Sequence, residues 1–139
     1  MLCSLMPHRS LVLLPLLALT ACARPAPTQP DRALLVEQRK DAVIDQLAAC
    51  ESGQGGEGTG RSRYVGRLQF EPRTVIAYVK ERDGRVIGQP EAVAIATDYG
   101  QASALAKYMI FERDGASHWP ACSRKLGLAR QVAEIRAAG

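Results

Sequence analysis

The sequence predicts a mainly α-helical single domain with at most a small extended element. Three observations carry that prediction. Apolar residues recur at helical spacing along several segments. Prolines and glycines fall where such segments start and stop. Only one short stretch, residues 64–70, reads as extended.

Residues 31–139 form the predicted domain. Asp31 can cap a first helix, in which Leu35, Val36, Val43, Ile44, Leu47 and Ala48 share one face while Glu37, Lys40, Asp41 and Asp45 turn outward. This helix is expected to end near Cys50 and Glu51. Five of the nine residues 52–60 are glycine, which marks a turn-rich loop. Pro72 is placed to open a second helix, carrying Val75, Ile76 and Val79 to a stop at Asp83 and Gly84. A shorter helix starts at Pro90. A third helix of real length covers residues 99–113, with Ala102, Leu105, Ala106 and Met109 on one face. Residues 117–126 look compact, and residues 129–138 form a last helix. No internal repeat is present.

Ahead of the domain, His8 and Arg9 precede an apolar run to Leu19, followed by Leu19, Thr20, Ala21 and Cys22. A basic start, a short hydrophobic core and small residues at the cut make residues 1–21 a signal peptide. The run is shorter than the ~20 residues that a bilayer span needs. Ala21, Cys22 and Ala23 also spell an A-x-A cleavage site, which would release a soluble protein. Residues 22–30 contain three prolines after the cysteine and read as an extended tether, reaching roughly 25 Å at about 3 Å per residue.

The loss of Arg9 takes the formal charge from +4 to +3. That bias suits anionic envelope polymers or lipid heads but is too weak and scattered for nucleic acid. Cys50 and Cys122 are the two cysteines left beyond Cys3 and Cys22. In an oxidising compartment they suggest one disulfide closing a loop of about 70 residues; the alternative is two buried thiols.

Two motifs in the glycine loop are decoys. Gly53, Gly55 and Gly58 spell G-x-G-x-x-G, and Gly55 and Gly60 followed by Arg61 and Ser62 approach a phosphate loop. Each works only between a strand and a following helix. Here a helix precedes the loop and Arg61 stands in the lysine position, so no nucleotide is expected. His118 lacks a second ligand at metal spacing, so no metal is expected either. The sequence calls for no cofactor.

Glu51 falls seven residues after Ile44 and four after Leu47, which puts a carboxyl group on the apolar face if the helix reaches that far. Desolvation there would raise its pKa toward that of a general acid. If the helix frays one turn early, Glu51 is a solvated loop residue.

The Glu51–Ser52 pair resembles the end of the catalytic helix in goose-type lysozymes and lytic transglycosylases. Residues 66–70 (GRLQF) resemble the motif that family carries after a variable loop. Residues 101–109 (QASALAKYM) resemble its later helix, with Tyr108 in the tyrosine slot. Trp119 and Cys122 resemble the end of its short members. Gln101 stands for an expected asparagine and Leu105 for a small residue, and the glycine loop is atypical. LTAC at residues 19–22 likewise resembles the lipobox of bacterial lipoproteins.

These resemblances imply a lysozyme-like domain on a lipoprotein lipidated at Cys22. Glu51 would be its catalytic acid and base, acting on peptidoglycan glycan strands to leave a 1,6-anhydro product. Ser52, Gln69, Phe70 and Tyr108 would line the cleft, with Tyr108 reaching toward Glu51. Ala23, where an inner-membrane lipoprotein carries aspartate, implies the periplasmic face of the outer membrane. The alternatives are a non-catalytic binding or assembly module on the same scaffold, and a purely structural helical lipoprotein.

Overall fold

A computed structural model describes residues 29–53 and 63–139. The expected signal peptide, Cys22, most of the expected tether and the glycine motifs beyond Gly53 lie outside the described residues. The described part is mainly helical, as expected.

Helix α1 (Gln29–Glu51) begins two residues inside the segment assigned to the tether and ends where the apolar pattern places it. Val43, Ile44, Leu47 and Ala48 are buried, so the second half of the helix forms one wall of the core. The chain resumes in a tight turn rather than the expected extended stretch. Val65 and Phe70 exchange both backbone hydrogen bonds, at 2.8 and 2.9 Å, as a single antiparallel bridge. Gly66 (φ +73°) and Gln69 (φ +50°) reverse the backbone between them. A Cβ at Gly66 would sit 1.9 Å from the Ala96 carbonyl oxygen, so this turn packs too closely for any other residue.

Helix α2 (Pro72–Asp83) starts on its proline and stops at Gly84, which adopts φ +68° and returns its N–H to the Lys80 carbonyl. Lys80 and Arg82 complement the negative end of the helix dipole. Helix α3 (Gln89–Thr97) packs against α2. Asp98 then caps helix α4 (Tyr99–Lys107), its carboxylate accepting the Gln101 N–H at 2.9 Å. The predicted third helix continues from α4 as a π-helical turn, Tyr108–Glu112, and a short 3-10 turn, Gly115–His118, follows. Helices α5 (Pro120–Leu126) and α6 (Leu128–Ala138) complete the chain.

α1 lies against α4, α5 and α6, while α2 and α3 pack together and reach α4. Leu47, Leu68, Val75, Val79, Leu105, Met109 and Leu128 are fully buried where these layers meet. The expected disulfide joins Cys50 at the end of α1 to Cys122 in α5, with Cα atoms 5.9 Å apart. Among the described residues no helix is long and apolar enough to cross a membrane.

Candidate functional site at the end of the first helix

Glu51 occupies the last helical position of α1, one turn beyond Leu47 and Ala48, neither of which is exposed at all. The helix does not fray early, and the carboxyl is half-buried. Desolvation pushes its pKa above the ordinary carboxylate value. Among the described residues it has no hydrogen-bond or ion-pair partner. Nothing described therefore offsets the cost of ionising it.

Ser52 closes the helix. Its backbone N–H and its hydroxyl both donate to the Ala48 carbonyl, at 3.0 and 2.7 Å. The hydroxyl proton is thus engaged inward, which leaves the oxygen as an acceptor. The adjacent disulfide fastens this end of α1 to α5.

The turn bearing Gln69 is fastened to the entrance of the same helix. The Trp119 indole donates to the Leu68 carbonyl at 2.7 Å, and the Phe70 and Trp119 rings meet edge to face at 5.3 Å. Gln69 is half-buried between these anchors, its amide nitrogen donating to the Gly66 carbonyl at 2.7 Å. It thus binds loop backbone, and its carbonyl oxygen keeps its capacity to accept. Phe70 corrects one expectation: only 2% exposed, it packs on Trp119 in the core and offers no surface to a sugar.

Tyr108 corrects another. Tyr99 at the start of α4 hydrogen-bonds Asp45, whereas Lys107 at its end pairs with Asp41 at 2.7 Å and Glu37 at 3.7 Å. The two helices therefore run antiparallel, and Tyr108 follows Lys107 at the far end of the pair. Glu51 lies ten residues beyond Asp41, about 15 Å along α1. The Tyr108 hydroxyl goes instead to Glu81 of α2 at 3.3 Å, and its ring leans on Tyr78 with centroids 6.4 Å apart.

Antiparallel packing brings the other end of α4 toward Glu51, where Tyr99 and Arg67 are residues that sequence reasoning passed over. The Arg67 guanidinium lies 4.0 Å over the Tyr99 ring, linking the Gly66 turn to α4. Burial, and then its bond to Asp45, raises the Tyr99 phenol above its ordinary value. The signals that could have found them are the place of Arg67 inside GRLQF and of Tyr99 at the start of its helix, but only the direction of α4 distinguishes the surroundings of Tyr99 from those of Tyr108.

At the end of α1 the structure thus places a desolvated carboxyl beside the Ser52 oxygen, while the disulfide ties α5 to this end and Trp119, at the entrance of α5, ties it to the turn bearing Gln69. Among the described residues no group of three or more His, Cys, Asp or Glu side chains could hold a metal ion. Compared with family models, curated proteins and solved structures, the chain matches none.

Proposed function

We propose that this chain is an envelope lipoprotein whose lysozyme-like domain cleaves peptidoglycan with Glu51 as its single acid and base. The observation that carries the reading is the desolvated carboxyl of Glu51, without a partner among the described residues, on a cross-linked helix end. A carboxyl whose pKa desolvation raises can donate its proton to the glycosidic oxygen between the two amino sugars as the bond breaks. The resulting carboxylate then takes the proton of the muramyl 6-hydroxyl, whose oxygen closes on C1 to form a 1,6-anhydro ring. The same residue gives and recovers one proton, so no second carboxylate is required. Lipidation at Cys22 and a place on the periplasmic face of the outer membrane belong to the same proposal.

A second reading, a non-catalytic binding or assembly module on the same scaffold, is kept because Gln69, Phe70 and Tyr108, the residues expected to line the catalytic cleft, are engaged within the protein. Incubation of the mature chain with sacculi separates the two. Cleavage releases 1,6-anhydro muropeptides, and Glu51→Gln lowers the rate at least about 100-fold while leaving binding intact. Equal product from both proteins would remove Glu51 from the chemistry, and sacculus binding with no product from either would select the second reading.

A further inference from the structure

Away from Glu51, a hollow of about 520 Å3 opens between the Gly66 turn and the α2–α3 pair. That size lies within the range of small-ligand sites. Its walls combine two kinds of side chain. Val65, Ile76 and Val93 give an apolar side, while Arg63, Arg73 and Gln89 bring donors to the same space.

The charge balance is what makes this hollow selective. Glu71 is the N-cap residue of α2, but its side chain makes no capping bond; its carboxylate turns to Arg63, whose Nη2 lies 3.1 Å from both oxygens. Glu71 thus neutralises one of the two guanidinium groups. Arg73 has no hydrogen-bond or ion-pair partner among the described residues. Among the described residues the hollow therefore keeps one uncompensated planar cation, whose paired N–H groups match a carboxylate. Its apolar wall has room for a small alkyl side chain beside that carboxylate.

We propose that this hollow binds the terminal carboxylate of a short peptide, with Arg73 taking the anion and Ile76 and Val93 taking the adjoining small apolar side chain. The inference rests on the peptidoglycan reading for its source of such a peptide, the acidic stem attached to each muramyl residue. It would orient the glycan strand through the stem rather than through the sugar.

Titration of the mature chain with a synthetic peptide ending in D-alanyl-D-alanine tests this, with the C-terminal amide of the same peptide as control. The acid is expected to bind at least tenfold more tightly than the amide, and Arg73→Gln, at an exposed position, to erase that preference. Equal binding of acid and amide, or full binding by Arg73→Gln, would overturn the assignment. Displacement by inorganic phosphate at equal concentration would also overturn it, by reducing the site to a general anion patch. Glu51→Gln keeps the two proposals separate. Peptide binding that survives it supports the hollow whether or not glycan is cleaved, and cleavage without peptide binding refutes the hollow alone.

Discussion

The first ten described side chains of α1, residues 31–40, stand in solvent on almost every side, and Leu34 and Leu35 remain more than half exposed. Over the next eleven residues Val43, Ile44, Leu47 and Ala48 vanish into the core and the disulfide closes. One continuous helix thus passes from a loosely held end, tied to α6 by Arg32 donating to the Ala138 carbonyl at 2.7 Å, to a fixed one. The contrast shows where rigidity is invested: the carboxyl at the fixed end cannot escape its desolvated position by unwinding, whereas nothing at the other end demands such constraint.

Removing the covalent part of that difference has the largest expected effect. The disulfide spans 72 residues, so Cys50→Ala with Cys122→Ala should lower the unfolding free energy by about 4 kcal/mol in urea titrations. A loss below about 1 kcal/mol would mean that packing alone fixes this end of α1.

A pH series sharpens the comparison from the chemical side. Folding raises the Glu51 carboxyl above its ordinary 4.5, so the folded protein retains a proton that the unfolded chain releases first. Its contribution to stability is full below the unfolded value and is lost as pH rises through the folded one. Glu51→Gln should therefore match the parent's melting temperature at pH 4 and exceed it at pH 7. A constant difference at all pH values would indicate a carboxyl as well solvated as any on the surface.

The smallest effect belongs to the exposed end. Leu34→Ser and Leu35→Ser should each change unfolding free energy by no more than about 0.5 kcal/mol, measured in the same titrations. A loss of 2 kcal/mol or so would show that the first half of α1 is held as firmly as the second.

Local rules made much of this legible in advance. Pro72 and Gly84 bound α2 because one preorganises the first turn and the other accepts a left-handed backbone, properties that need no knowledge of distant residues. Periodicity placed the end of α1 near Cys50 and Glu51 while leaving open a helix that frays one turn early, and residue count with an expected oxidising compartment suggested the disulfide. What stayed hidden depends on approach between remote segments. Gly66 is required by the Ala96 carbonyl thirty residues away, and that contact makes residues 65–70 a turn instead of a strand. Tyr108 occupied the expected place in a motif, yet its surroundings were set by the antiparallel run of α4 along α1. Phe70, expected in the cleft, lies in the core because Trp119, remote in sequence, packs against it.

Trp119 is the only tryptophan in the chain. Its indole is 3% exposed, hydrogen-bonded to the Leu68 carbonyl and three residues from the Cys122 half of the disulfide. The protein thus carries a native fluorophore at the junction that supports its candidate site. A shift of its emission to longer wavelength would register the Leu68 turn lifting from α5. Its intensity would respond to reduction of the neighbouring disulfide, because a disulfide quenches an indole close by. Docking of the turn and integrity of the cross-link can therefore be followed separately, in real time, with no label attached.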